Sequence, residues 1–435
     1  MNNVKDFGAV GDGSANDTAA IQKAIDAGGI AYFPPGIYRS GTLYLRSGGG
    51  LELSPGATLL ASPDPTDYNA DDFCPQNQVF AGDQVSGAHL ICAVEQHDIV
   101  LRGGGRIDGS ARTWLNELHQ LGCRMSYRYP EWRPGQLLYF CESEQITLQD
   151  LIIEDAPYWA VMVHGCRHVA VRNIRIFSDM QGHNGDGIDI DCSQFVNISG
   201  CQIEGSDDCI TLRVNEKGLK HPQVCEYVTV SDCILKTYEC AVRLGVGSGL
   251  IRHAVFSNIL VRGACSAVCI CSCWRFGGRC ASVEDVSFHD FSIDSDRPFN
   301  VTDVVSPGAS LPERISCHLQ GIDFRHWRGR ASRSGNILAR CGGKISDVVL
   351  DDFRLEFHGK NEKGTQEGCS WYDGSPVFNS AVSLSCVENI TLRNIAFKRG
   401  SDAENWQYQL LSGQCRGLQI DGIPCPEDCR RTFPD

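Results

Sequence analysis

One short β-pattern recurs along most of the chain and constrains its fold more than any other feature. Each copy alternates apolar, mostly β-branched residues with polar ones, and most copies reach an Asn or Asp. The copies occupy residues 145–150, 168–173, 195–198, 227–232, 253–258, 285–290, 347–352 and 388–394. Most consecutive copies begin roughly 23–32 residues apart, a period typical of stacked coils rather than of separate globules.

The spacing leaves no room for a helix between most strands, and this favours an all-β parallel β-helix whose coils bury one shared core. The main helical signal is residues 18–27, with Asp17 as a plausible N-cap and Gly28-Gly29 as the stop. Such a helix would cover the open end of the stack, because uncapped strands invite edge pairing. With no linker or shift in composition, we expect one domain over 1–435, with 1–30 as an N-terminal cap region.

Charge and hydropathy restrict the partners. The formal net charge is −14 and no basic run is present, so nucleic acid is not expected as a partner. No segment has the apolar length that crosses a bilayer, so no membrane partner is expected. Since the printed sequence shows no signal peptide, we expect a cytoplasmic protein, or a secreted or periplasmic one if a leader has been removed. The oligomeric state has no sequence signal.

Cysteine is unusually frequent, with 23 residues. This density lies below the roughly 8–10% that marks disulfide scaffolds, and the spacings form no regular framework. We therefore interpret most cysteines as small buried apolar residues in a reduced compartment.

Three aspartates carry the chemical signal. Asp186 lies in one β-end motif, and the adjacent pair Asp207 and Asp208 lies in the next, 21 residues on from Asp186 to Asp207 and close to one coil. Glycosidic bond cleavage needs an acid and a base, and an inverting pair is roughly 6.5–9.5 Å apart. Adjacent carboxylates repel each other's ionisation, so one can stay protonated near neutral pH. The competing interpretation is structural, since Asp is common at turns, and we assign Asp189 and Asp191 to that role.

The motifs Asn184-Gly185-Asp186 and Ser206-Asp207-Asp208 resemble those of glycoside hydrolase family 28, the polygalacturonase family. Supporting matches are residues 4–13, 105–109 with Trp114, Arg133-Pro134 and 156–159. The resemblance implies a right-handed parallel β-helix and an inverting mechanism without cofactor or metal, acting on a glycan. It also implies that Asp207 is the general acid, while Asp186 and Asp208 position and deprotonate the attacking water.

The chain departs from that family at two places. Where the family has Gly-His-Gly, Glu239 or Cys240 takes the histidine position; where it has Arg-Ile-Lys, this chain has Cys269-Ile270-Cys271. Neutral thiols cannot replace the charge-assisted bonds by which Arg or Lys holds a carboxylate. We therefore expect a substrate other than standard polygalacturonate. Either the sugar at the cleavage position is neutral, or Arg213 and Arg243 bind its acid group.

Several other residues are candidates with two interpretations each. His183 and Asn184 would orient substrate, although His183 could equally be a satisfied turn histidine. Glu239 is a compensating candidate beside Arg213 and Arg243, and both arginines could instead be solvated or ion-paired. Cys269, Cys271 and Cys273 alternate on one strand face, where an unliganded ladder is simpler than zinc, so no metal is assigned. The tryptophans that could stack on sugars or pack the coils are Trp114, Trp132 and Trp159.

Two other functions compete with hydrolysis. A polysaccharide lyase or epimerase on the same scaffold would abstract a proton beside a uronate carboxylate, and the missing Arg and Lys weigh against it. A non-catalytic β-helix would bind glycans without turnover, and the Asp207–Asp208 pair weighs against that.

Overall fold

The computed structural model describes residues 1–77, 79–121, 124–274, 280–305, 316–360 and 378–433. By their contacts the residues form two compact units. The first holds 1–210 and 216–223, and the second holds 211–215 and 224–435. The expectation of one domain over 1–435 stays a prediction.

Strands of the first unit run parallel except for one hairpin, β11–β12. Three ladders dominate it: β5–β8–β13–β16–β19, β9–β14–β17–β20 and β7–β10–β15–β18–β21. The strands are β1 Asn2–Asn3, β2 Asp12–Asn16, β3 Ile30–Phe33, β4 Gly36–Ser40, β5 Leu43–Tyr44, β6 Gly50–Leu53, β7 Ala57–Ala61, β8 Ile91–Val94, β9 His97–Arg102, β10 Arg106–Asp108, β11 Leu118–Leu121, β12 Arg124–Tyr127, β13 Leu138–Cys141, β14 Glu144–Gln149, β15 Ile152–Glu154, β16 Val161–His164, β17 Arg167–Arg172, β18 Arg175–Phe177, β19 Ile188–Asp191, β20 Gln194–Ser199 and β21 Gln202–Gly205.

The second unit continues with longer strands, which form two parallel ladders, β23–β25–β27–β29–β31–β33 and β24–β26–β28–β30–β32–β34. Its strands, with β22 beginning at the end of the first unit, are β22 Ile210–Val214, β23 Cys225–Thr237, β24 Cys240–Gly247, β25 Leu250–Arg262, β26 Ser266–Trp274, β27 Ser282–Ser295, β28 Arg297–Val305, β29 His318–Ala331, β30 Gly335–Leu338, β31 Lys344–Phe357, β32 Ser380–Ser385, β33 Glu388–Arg399, β34 Tyr408–Gly413, β35 Gln419–Ile420, β36 Ile423–Pro424 and β37 Cys429–Thr432.

Helices are few and short. They are α1 Thr18–Asp26, α2 Ala111–Trp114 and the 3₁₀ turns Val4–Phe7, Pro65–Asp67 and Ala81–Asp83. The Gln22 side chain of α1 accepts from the Tyr44 amide and donates to the Tyr44 carbonyl, both at 2.9 Å, and so occupies the edge strand β5. Asp17 precedes α1 as predicted, but its carboxylate accepts from the amides of Val10 and Gly11 rather than capping the helix. No helix of the described residues has the length and apolar character of a membrane span.

The predicted sequence repeats pair with one another in register. Ile99, Ile146, Val169 and Val196 align in the first unit. In the second unit the aligned residues are Val228, Ala254, Val286, Ile322, Val348 and Ile390. The copies around Ile99 and Ile322 escaped the sequence analysis. Stacked parallel coils therefore confirm the β-helical fold class.

A backbone requirement explains the polar residues of the repeat. Its first and sixth positions repeatedly adopt left-handed backbone, as in Gln145 and Asp150 or Asp347 and Asp352. Asn and Asp tolerate this conformation better than β-branched residues do, because their short side chains bond locally. The repeat therefore encodes two corners around one short buried strand.

Candidate active site

The three predicted aspartates lie together in the first unit. One carboxylate oxygen each from Asp186, Asp207 and Asp208 lies within 4.8 Å of the others. Asp186 and Asp208 are 2% and 1% exposed, and Asp207 is 6% exposed. These distances between carboxylate oxygens are shorter than the roughly 6.5–9.5 Å expected between the carboxyl groups of an inverting acid and base. Neighbouring parallel strands are about 4.7–4.9 Å apart, which accounts for the close grouping.

Backbone pairing sets this arrangement. The Gly187 amide donates to the Asp208 carbonyl at 3.0 Å, and the Ile188 amide donates to the Cys209 carbonyl at 2.9 Å. Two neighbouring coils are thereby aligned where the aspartates project. A side chain at Gly187 would place its Cβ 2.5 Å from the Cys209 carbonyl oxygen, so glycine is required for this close approach.

Arg133 packs behind the turn that carries Asp186. It is fully buried, and its guanidinium donates to the carbonyls of Pro157 and His183 at 2.8 and 2.9 Å and to Asn184 Oδ1 at 3.0 Å. The rings of Tyr129 and Tyr158 lie 5.5 and 5.0 Å from its central carbon.

Burial lowers the pKa of the Arg133 guanidinium, and neighbouring groups, including Asp83 and Asp186, oppose that shift. The side chain therefore brings positive charge to the back of the Asp186 turn. Sequence analysis quoted Arg133-Pro134 only as a family match and did not assign it to the site. An arginine beside a proline within a mostly apolar segment was the available signal.

His183 and Asn184 lie on the turn that precedes Asp186. His183 Nε2 lies within hydrogen-bond distance of the Tyr127 carbonyl and 3.2 Å from the Ser126 hydroxyl, and its ring stacks on Tyr129 at 4.1 Å. These contacts are typical of a histidine that packs within a turn, and only 9% of the residue is exposed. Substrate binding by His183 and Asn184 stays a prediction.

Two of the candidate tryptophans pack against each other. Trp114 and Trp132 are half-buried, with ring centroids 4.7 Å apart. Trp159 is only 3% exposed and stacks on Tyr158 at 4.8 Å. Packing thus accounts for Trp159, while Trp114 and Trp132 retain accessible surface.

The second unit holds the remaining predicted residues. Arg213 is half-buried, whereas Glu239 and Arg243 are 2% and 5% exposed. Arg243 on β24 is in register with Cys269 on β26. Arg243 is therefore buried rather than a solvated strand residue. A substrate role for Arg213, Glu239 and Arg243 stays a prediction.

Most described cysteines are buried, as expected of small apolar residues. Cys269 and Cys271 form one buried cluster with Cys240, while Cys273 packs with Cys317 in another. Within the described ranges, two groups of three or more His, Cys, Asp or Glu side chains bring ligand atoms within 4.8 Å of one another. They are the three aspartates above and the group His164, Asp191 and Cys192.

Comparisons with known proteins show which families the sequence resembles. The sequence profile of glycosyl hydrolases family 28 matches residues 76–226, and that of rhamnogalacturonase A/epimerase, pectate lyase-like, matches 1–96. A family 28 exopolygalacturonase from Yersinia enterocolitica aligns over 97% of this chain and 79% of its own, with a TM-score of 0.67 and 18% identity. Residues 76–226, which include Asp186, Asp207 and Asp208, therefore resemble glycoside hydrolase family 28.

Curated relatives include a probable polygalacturonase from Vitis vinifera, 28% identical over 257 residues. Another is an exo-poly-alpha-D-galacturonosidase from Dickeya chrysanthemi, 38% identical over 252 residues. The alignments cover 55% and 48% of this chain, and 50% and 41% of those proteins. The chain thus spans half or less of the length of these two relatives.

Proposed function

We propose that this protein hydrolyses glycosidic bonds of a pectic glycan with inversion at the anomeric carbon, as the family 28 match of residues 76–226 supports. The observation that carries the proposal is the buried grouping of Asp186, Asp207 and Asp208 within 4.8 Å. A structural turn aspartate would need no such grouping, because it bonds its own backbone.

Each aspartate has a role in the proposed reaction. Asp207, the most exposed of the three, donates a proton to the leaving glycosidic oxygen. Asp186 and Asp208 hold one water and remove its proton as it attacks. Two oxygens no more than 4.8 Å apart can share a water at ordinary hydrogen-bond lengths of roughly 2.7–2.8 Å. Repulsion among three carboxylates favours retention of the proton that the acid needs.

The substrate proposal rests on two considerations. The curated relatives are named for polygalacturonic substrates, which supports a pectic backbone. The sequence resemblance implies that Cys269 and Cys271 stand where the family carries a cationic clamp, and this favours a variant substrate over standard polygalacturonate. Either the sugar at the cleavage position is neutral, or Arg213 and Arg243 receive its carboxylate.

The deciding experiment measures reducing-sugar release from neutral and acidic pectic glycans and from aryl glycosides. Wild type, Asp207→Asn and Asp150→Asn are compared. Asp150 is an exposed turn carboxylate with left-handed backbone, so its amide variant is a matched control. We expect Asp207→Asn to lose at least about 10²-fold in kcat, as removal of a general acid does, while Asp150→Asn stays active.

Each alternative has its own result. Turnover confined to unsubstituted polygalacturonate would refute the variant-substrate part of the proposal. Release of an unsaturated, ultraviolet-absorbing product would indicate a lyase. Glycan binding without turnover, unchanged in Asp207→Asn, would indicate a binding scaffold.

A further inference from the structure

A second group of ligand-type side chains lies in the first unit, apart from the three aspartates in composition and role. Donor atoms of His164, Asp191 and Cys192 all lie within 4.8 Å of one another. The Cys141 sulfur is 3.9 Å from His164 Nδ1. All four residues are at most 1% exposed.

Strand register explains why they meet. Cys141 ends β13, His164 ends β16 and Asp191 ends β19, and these three residues are direct partners along the ladder. Cys192 follows Asp191 at the corner, where its backbone is left-handed. One imidazole, one carboxylate and two thiols therefore belong to the same corner of three successive coils.

The chain closes this corner from outside. The His221 amide donates to Glu142 Oε1 at 2.7 Å, and Lys220 pairs with Glu95. A Cβ at Gly165 would lie 2.9 Å from Leu219, so the segment 216–223 packs directly on the corner. Both Glu95 and Glu142 occupy the corner position that Cys192 fills on its own coil.

We propose that His164, Asp191 and Cys192 bind a zinc ion, with the Cys141 thiol beside His164 as the nearest further thiol. Zinc favours four-coordinate sites of sulfur, nitrogen and oxygen at about 2.0–2.3 Å, so its ligand atoms are roughly 3.3–3.8 Å apart. The donor atoms of His164, Asp191 and Cys192 lie within 4.8 Å of one another, and binding of the ion would draw them closer together. The mixed thiolate, imidazole and carboxylate set suits zinc better than calcium or magnesium, which prefer oxygen.

The ion would have two consequences. It would place a positive charge beside the buried Asp191 carboxylate, in surroundings where charge is costly. It would also tie β16 and β19 together at their carboxyl ends. Since Asp186 lies two residues before β19, zinc would brace the coil that carries the first catalytic motif. The Asp191 side chain is then a ligand rather than a turn residue.

The test measures bound metal in the full chain, purified without chelator, and then cobalt(II) in place of zinc. We expect one zinc per chain by elemental analysis, and a cobalt form with thiolate-to-metal charge-transfer absorption. Cys192→Ser should weaken zinc binding at least about 100-fold, the upper end of the loss caused by removing only a supporting partner. The matched control is Cys201→Ser, another buried cysteine of this unit, whose sulfur lies 3.5 Å from the Ser199 carbonyl.

The cobalt spectrum of wild type reports thiolate ligation without any variant, so the test does not depend on Cys192→Ser folding. Absence of both zinc and the thiolate band in wild type would overturn the proposal. It would equally be overturned if Cys192→Ser kept its zinc while Asp207→Asn lost it, because the ion would then lie at the three aspartates. Neither readout depends on glycan hydrolysis.

Discussion

The Arg133 guanidinium donates a 3.0 Å hydrogen bond to Asn184 Oδ1, two residues before Asp186. The same side chain donates to the carbonyls of Asp83, Pro157 and His183, so one buried cation joins three separate segments behind the site. A planar fork with five N–H donors can serve this many acceptors, whereas an ammonium cannot hold them in the same plane. Arg133 is therefore a positioning residue for the Asp186 turn.

Replacing Arg133 with lysine should keep the charge but release the turn. We expect kcat to fall about 10²-fold, the scale associated with a displacement near 1 Å, with a smaller change in KM. Steady-state kinetics across pH would check this, because displacement of Asp186 would also shift the pH dependence of the rate. Arg175→Lys, at an exposed strand position, is the control. An Arg133→Lys enzyme with full kcat and an unchanged pH profile would contradict the positioning role.

Gly187→Ala should separate the two aspartate motifs. The added Cβ would meet the Cys209 carbonyl oxygen and the Ile203 side chain at 2.5 Å, so backbone must move. We expect a loss of roughly 1–3 kcal/mol in the free energy of unfolding, as for overpacked cores, together with reduced kcat. Denaturant unfolding and kinetics measure both.

Gly82→Ala provides the comparison for that substitution, because a Cβ there meets nothing within 4 Å and its φ is not in the left-handed region. Wild-type activity in Gly187→Ala would show that the close approach of the coils is dispensable for catalysis.

The sequence predicts the coils well because each coil depends on a short local pattern of residues. Corners need residues that tolerate left-handed backbone, and the strand between them needs alternating apolar side chains. The copies around Ile99 and Ile322 were missed because their corner residues differ: Gly103 takes the sixth position of the first, and Gly321 and His326 take the first and sixth positions of the second. Glycine and histidine meet the same backbone demand without looking like the Asn/Asp pattern.

The site was predictable only in part, for a related reason. Asp186 and Asp207 are one coil apart in sequence, so the period itself brings them together. Arg133 and Asn184 are 51 residues apart, and only the packed structure shows their contact. The corner of Cys141, His164 and Asp191 likewise depends on register, which cysteine spacing does not reveal.

His89 should make stability depend on pH. It is fully buried, its ring stacks on Tyr139 at 4.4 Å, and burial lowers its pKa to about 4. In the unfolded chain the pKa of a histidine is near 6.5. Between that pH and about pH 4 the unfolded chain binds a proton that the folded chain does not bind. Stability therefore falls as pH falls through this window. From pH 7.5 to pH 5 this amounts to about 2 kcal/mol.

Urea unfolding at both pH values would measure that loss in wild type and in His89→Gln. Because other groups also titrate, the informative quantity is the difference between the two proteins. His89→Gln should be less stable at pH 7.5 and should lose about 2 kcal/mol less on acidification. Parallel pH dependence of the two proteins would exclude His89 as the source.

The stereochemistry of the product distinguishes the two ways in which carboxylates this close can act. A retaining enzyme needs only two, with one as a nucleophile roughly 5–5.5 Å from the acid. Three buried aspartates leave one unexplained in that scheme, whereas an acid and a pair holding one water employ all of them. Proton NMR of the first product, recorded before mutarotation, should therefore show the anomer opposite to that of the substrate. Product of unchanged configuration, with a glycosyl-aspartate detected by mass spectrometry in rapidly quenched enzyme, would replace this mechanism with a double displacement.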